Sequence, residues 1–271
     1  MKNFFSRSFN QRVVCAGRVF ERYVYEKPVI KGLERKRAGR SASFQTSEEV
    51  KAENRNKTAN RAKNTIKRYA NANPQLTKFL TLTFAQNIID LDYARYEFDK
   101  FIKRLKTRYA KFSFQYIVVV EFQKRGAIHF HLLCNLPYVQ ANTLAEIWSH
   151  GFINIQRLDN IDNVGSYITK YMTKDNFDER LCGRKCYSMS KNLNKPKCYT
   201  KDSDIEEIMQ NLDSVQNVFT AEYDSEYFGK VYYCQIICKN VIPPPRKQHK
   251  LSRLIDSLSL LPDDTPCPFP I

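Results

Sequence analysis

The chain of 271 residues is long enough to bury a full core, and its size suits one catalytic domain with extensions better than two large domains. Forty-four Lys and Arg against 28 Asp and Glu leave a net charge of +16, which favours a polyanionic partner. No apolar run approaches a membrane span and no Gly-x4-Gly-Lys-Ser/Thr phosphate loop is present, so neither a membrane protein nor an ATP-driven helicase is expected. The eight cysteines come with no N-terminal secretory pattern and no Cys-x2-Cys knuckle. Reduced thiols in a cytoplasmic protein are expected, rather than a disulfide framework or a zinc site.

In chain order, residues 1–74 read as an N-terminal strand, a basic arm and a basic helix. Lys31 to Ala70 holds twelve Lys or Arg against four Glu, an excess of eight and half of the whole net charge. The Arg- and Lys-rich run Gly32 to Gly39 is read as an arm. Thr46-x-x-Glu49 then makes a capping box, after which Val50 to Ala70 has a thin apolar seam of Ala59, Ala62, Ile66 and Tyr69. The rest of that helix is polar and basic, so Lys57, Arg61, Lys63, Lys67 and Arg68 are candidate phosphate contacts. The plain alternative is a solvated basic face.

Residues 75–178 carry the catalytic pattern. A strand from Phe79 to Phe84 precedes a helix from about Leu91 to Tyr109, in which Ala94, Phe98, Phe101, Leu105 and Tyr109 recur at helical spacing. Lys100, Lys103, Arg104 and Lys106 fall on its other side and are expected in solvent. Strands from Phe114 to Phe122 and Ala127 to Cys134 follow, then a helix from Thr143 to Ser149 with Asn142 as its cap and Gly151 as its stop, then a strand from Phe152 to Arg157. The order β-α-β-β-α-β is the ferredoxin-like plan, an α+β fold with a central antiparallel sheet.

Lys124-Arg125-Gly126 fits a three-residue hairpin loop with Gly126 in the left-handed position. In that register Gln123 opposes Ala127 and Glu121 opposes His129. His131 lies on the same face two residues along, because side chains alternate in a strand. A carboxylate and two imidazoles thus converge on one otherwise hydrophobic hairpin. His-x-His alone is more often a pair of half-buried histidines; the opposed Glu121 turns the reading towards a metal. Mixed imidazole and carboxylate ligands suit Mg2+ or Mn2+ with positions open for substrate.

Val164-Gly-Ser-Tyr167-Ile-Thr-Lys170-Tyr171-Met-Thr-Lys174 repeats Tyr-x-x-Lys twice. Asn160, Asp162 and Asn163 are good helix caps just upstream, so Tyr167 and Tyr171 are expected one turn apart on one helical face, each with a lysine three residues on. A phenol is a poor nucleophile at neutral pH, so a cationic neighbour and a polarised electrophile would both assist it. Residues 179–240 form a C-terminal extension. It holds a basic, turn-rich run with Arg184, Lys185 and Lys191 as candidate DNA contacts, a helix from Asp204 to Leu212, and an aromatic-rich strand or hairpin from Tyr227 to Cys238. Residues 241–271 read as a Pro-rich linker and tail.

Phe79-Leu-Thr81-Leu-Thr83-Phe84, Ile128-His129-Phe130-His131-Leu132 and Tyr167-Ile-Thr-Lys170-Tyr171 come in the order of the three motifs of the HUH endonucleases. The segment from Phe79 to Lys174 resembles in particular the two-tyrosine rolling-circle replication initiators of small phages and plasmids. The resemblance implies a metal-dependent nickase and ligase of single-stranded or hairpin origin DNA that forms a 5′-phosphotyrosine bond in a bacterial cytoplasm, served by a host helicase and polymerase. By position it implies His129 and His131 as metal ligands, Glu121 as the acidic third ligand, Tyr167 as first nucleophile, Tyr171 as second and Lys170 as its helper. No nucleotide cofactor is expected. A relaxase or transposase of the same chemistry, or a non-catalytic single-stranded-DNA-binding module, are the alternatives.

Overall fold

The computed structural model describes residues 7–32, 47–123, 125–158, 163–172, 179–181, 184–212 and 215–239. Thr46, the arm beyond Gly32, Asn160, Asp162, Lys174, Cys182 and the Pro-rich tail lie outside them. In chain order the elements are β1 (Arg7–Ala16), β2 (Val19–Lys31), α1 (Glu48–Asn71), β3 (Lys78–Thr83), α2 (Leu91–Arg108), β4 (Tyr116–Phe122), β5 (Ile128–Cys134), α3 (Ala141–Trp148) and β6 (Ile153–Arg157). They continue with α4 (Val164–Thr169), a 3-10 turn at Lys170–Met172, β7 (Tyr187–Met189), β8 (Lys197–Tyr199), α5 (Asp202–Gln210), β9 (Val215–Ser225) and β10 (Gly229–Cys238). The result is an α+β protein with two antiparallel five-stranded sheets, ordered β6-β3-β5-β4-β7 and β8-β1-β2-β10-β9.

The first sheet is covered on both faces, which is why every residue of β5 is buried and why β4 reads as a β-branched run. On one face Leu80, Leu82, Val118, Val120, Phe130 and Leu132 meet Phe98, Phe101 and Leu105 of α2 and Leu144 and Trp148 of α3. On the other, Phe79, Ile117, Val119 and Leu133 meet Ile66 and Ala70 of α1 and Ile168 of α4. Each such buried side chain stabilises the fold by roughly 1.5–3 kcal/mol.

Several boundaries differ from the sequence expectation for local reasons. The Ser47 hydroxyl, next to the expected Thr46, accepts from Val50 N and caps α1. α3 begins at Ala141, before its expected Asn142 cap, and leaves at Ser149 in a left-handed conformation (φ 61°) two residues ahead of Gly151. Arg104, expected in solvent, donates instead to the carbonyls of Ile147 and Trp148 at 2.8 and 3.1 Å, satisfying the end of α3. Tyr187–Met189, expected within a loop, adds an edge strand to β4.

The second sheet combines the two ends of the chain. The β1–β2 hairpin pairs with β8 on one side and with the β10–β9 hairpin on the other. Tyr227, expected in a strand, sits in the turn between β9 and β10, and β9 precedes the segment expected to pair. α5 covers one face through Ile205 and Ile208 against Val13, Phe20 and Ile236. α1 joins the sheets: Arg68 donates to Glu21 at 2.6 Å and to the Tyr23 hydroxyl at 2.8 Å, and Lys67 donates to Gln235 at 2.6 Å. Glu21 is only 3% exposed, so its charge depends on Arg68. No described helix is long and apolar enough to cross a membrane.

Candidate active site

The site grows from the β4–β5 hairpin. Gln123 N donates to Ala127 O at 2.8 Å and Gly126 N to Gln123 O at 2.7 Å, closing the short loop. Gly126 has φ 88°, a backbone that a residue with a side chain rarely adopts. The closed loop sets the register, and Glu121 stands opposite His129, as the turn chemistry predicts. β3 extends the row: Thr83 pairs with His129 and Thr81 with His131.

Glu121, His129 and His131 each present a ligand atom, and the three atoms lie within 4.8 Å of one another. Both histidines are buried. His131 Nε2 is 2.5 Å from the Glu121 carboxylate, while its Nδ1 is 3.1 Å from the Thr81 hydroxyl. Two acceptors that close need a cation between them, either a proton or a metal. His129 Nδ1 lies 3.4 Å from the Gln123 amide, and its Nε2 is buried with no hydrogen-bond partner. With the amide oxygen of Gln123 turned to the ring, Nδ1–H donates and Nε2 offers its lone pair inward. Burial, and next the neighbouring His131, lower the His129 pKa, which keeps the imidazole neutral as metal ligation requires. The orphaned nitrogen, the neutral ring and the adjoining carboxylate together fit a divalent metal ion.

The tyrosines stand over the same face. Asn163 caps α4, its side chain accepting from Ser166 N at 3.0 Å. Tyr167 lies in α4, but Tyr171 lies in the 3-10 turn that follows, so the regular helix expected to carry both ends between them. The tightening leaves the hydroxyls 3.5 Å apart. Phe79 is the wedge of the site, with its ring centroid 5.2 Å from Tyr167, 4.9 Å from Tyr171 and 5.8 Å from His131. Tyr171 stacks on His131 at 4.3 Å, which brings a phenol against a metal-ligating ring. Burial first, then the hydrogen bond to Tyr167, push the Tyr171 phenol up to about 12. Gln156 donates to the Tyr167 hydroxyl at 3.2 Å, and the Lys170 ammonium lies 5.8 Å over the Tyr167 ring rather than beside Tyr171.

The basic residues are not gathered around this face. Lys57 and Arg61 are exposed on α1 and Lys63 is half-buried, Lys57 pairing with Glu53 at 2.6 Å. Lys67 and Arg68 are turned into the joint with the second sheet, a correction to their expected place on the phosphate-facing surface. Arg184 pairs with Asp92 at 2.9 Å, and Lys185 offers its carbonyl to Arg95, so both sit beside α2, across the sheet from the histidines. Lys191 is exposed beside Asn192, which bonds Ser113 near the start of β4, at the far end of that strand from Glu121.

Thr81, Gln123 and Gln156 also contact the site residues, although the sequence motifs do not mark them as functional. Thr81 and Gln123 are within reach of register arithmetic, since both flank the histidines on paired strands. Nothing local marks Gln156 or the contacts of Phe79.

Residues 77–176 match the model of the replication-associated protein ORF2 family, and the matched span contains Glu121, both histidines and both tyrosines. The match supports a replication initiator. No curated protein and no solved structure matches the chain.

Proposed function

We propose that the chain is a rolling-circle replication initiator that nicks and rejoins one strand of origin DNA through a 5′-phosphotyrosyl intermediate. In this reading residues 75–178 are a ferredoxin-like HUH core. The antiparallel order β6-β3-β5-β4, with α2 and α3 on one face, supports that assignment. The observation that carries the function is the meeting of two phenols with the Glu121, His129 and His131 cluster, Tyr171 stacked on His131 at 4.3 Å and Tyr167 within hydrogen-bond range of Tyr171.

Glu121, His129 and His131 would hold Mg2+ or Mn2+, which supplies Lewis acidity to the scissile phosphate. Thr81 and Gln123 orient the outer ring nitrogens, so that both imidazoles keep one face of the site fixed. A tyrosine oxygen attacks phosphorus as its proton departs; the bond from phosphorus to the 3′ oxygen breaks, and the strand end leaves as a 3′-hydroxyl. Gln156 donates to the Tyr167 oxygen and Lys170 lies over its ring, so negative charge developing on that phenol is stabilised. Tyr171, held neutral by burial, becomes the second nucleophile and accepts the next strand. A pair at 3.5 Å can address one phosphate in turn, as strand exchange requires. Single-stranded or hairpin origin DNA is the substrate, with a host helicase and polymerase as partners.

Labelled single-stranded origin oligonucleotides incubated with Mn2+ test this directly. The wild type should yield a covalent protein–DNA band; Tyr167→Phe should block the first adduct, and Tyr171→Phe should nick but fail to complete strand exchange. Mass spectrometry finding the DNA on Tyr171 alone reverses the roles, and DNA on neither tyrosine removes the covalent mechanism.

A further inference from the structure

The segment bearing the tyrosines is seated on α1. At six residues α4 is far too short to be stable alone, so its position must come from tertiary contacts. Three hydrogen bonds pin its first turn. Asn163 Oδ1 accepts from Ser166 N at 3.0 Å, Asn71 Oδ1 accepts from Gly165 N at 3.0 Å, and Asn71 Nδ2 donates to Asn163 Oδ1 at 3.1 Å. A side-chain carbon at Gly165 would lie 2.3 Å from the Lys67 carbonyl, so the two helix backbones touch there. Ile168 packs on Ile66 and Ala70 of α1. α1 itself is fastened to the second sheet by Arg68 on Glu21 and Lys67 on Gln235.

From these contacts we propose that Asn71, at the last turn of the basic helix, is the positioning residue of the tyrosine pair, and that α1 with the second sheet forms the seat that aims both phenols at the Glu-His-His cluster. The proposal rests on the nicking reading above and assigns Asn71 no contact with DNA or metal. Its amide uses oxygen and nitrogen at once, one to hold the first turn of α4 and one to hold the cap. Alanine at 71 removes both bonds, whereas Asn163→Asp keeps all three, because a carboxylate oxygen accepts from Asn71 Nδ2 and from Ser166 N alike.

The test compares full-length wild type, Asn71→Ala and Asn163→Asp on a fluorescent single-stranded oligonucleotide with Mn2+. Asn71→Ala should slow single-turnover adduct formation by about 10- to 100-fold, the scale of a small misplacement of a reacting group. It should also change the ratio of adduct on Tyr167 to adduct on Tyr171. Affinity for the oligonucleotide, read by anisotropy, and the Mn2+-induced rise in melting temperature should stay at wild-type values. Asn163→Asp should keep the wild-type rate and ratio. Amide hydrogen exchange across residues 163–172 should quicken in Asn71→Ala alone. Wild-type exchange and adduct ratio in Asn71→Ala would overturn the proposal, as would a parallel loss of rate, DNA affinity and metal response, which marks general unfolding. A wild type that forms no adduct at all removes the nicking reading instead, and the exchange measurement then still decides whether Asn71 seats α4.

Discussion

The two faces of the first sheet are built from alternate residues of the same strands and do opposite work. On the face covered by α2 and α3, Phe130 packs against Phe98 at 4.8 Å and its neighbours are Leu80, Leu82 and Leu132, with no polar side chain among them. On the face covered by α1 and α4, the residues immediately before and after Phe130 are His129 and His131, beside Glu121, Thr81 and Thr83. One face is optimised for burial. The other keeps an imidazole nitrogen without a partner in the interior, an arrangement that costs stability on its own terms and makes sense only with a ligand. A strand thus lets one segment carry a core and a site side by side, because its period of two separates them by a single residue.

This division can be tested from both sides. The largest effect is expected for His129→Ala with His131→Ala: adduct formation should fall by at least about 1000-fold, since several kcal/mol of phosphate polarisation are lost. The metal-free melting temperature should stay near the wild-type value, while added Mn2+ should no longer raise it. Undiminished nicking by this variant would sink the site. On the opposite face, Phe130→Ala should cost about 3–5 kcal/mol of unfolding free energy in denaturant titrations. Whatever fraction remains folded should form adduct at the wild-type rate. A folded Phe130→Ala protein with a selectively lost rate would show that the two faces are not separable. The smallest effect concerns α1, where Lys57→Ala with Lys63→Ala should flatten the salt dependence of single-stranded DNA binding by about 0.7 for each phosphate no longer neutralised. An unchanged slope would assign that helix to seating the tyrosines alone.

The legible parts of the molecule are those that depend on neighbours in sequence. The hairpin register follows from Gly126 and a three-residue loop, and it sets Glu121 against His129 without reference to any long-range packing. The core stripe of α2 follows from helical spacing, and Ala94, Phe98, Phe101 and Leu105 are all buried. Boundaries are less legible where a distant group supplies the cap. The carbonyls of Ile147 and Trp148 are satisfied by Arg104 from another helix, so no stop signal is needed at Gly151. Arg68 and Lys67 read as surface cations because helix composition cannot say which polar residues will meet Glu21 or Gln235, far away in the chain.

The sequence by itself determined the alternation that brings a carboxylate and two imidazoles to one face, the four-residue spacing of the tyrosines, and the excess of positive charge. These are consequences of strand and helix periods and of counting. Tertiary structure alone decided that the ends of the chain would share a sheet, that Phe79 would separate the phenols from the body of the core, and that α4 would lean on Asn71 and the Lys67 carbonyl. The reason is physical: a period fixes the direction of a side chain within its own element, whereas the distance between a phenol and an imidazole is set by the packing of elements that no local rule connects.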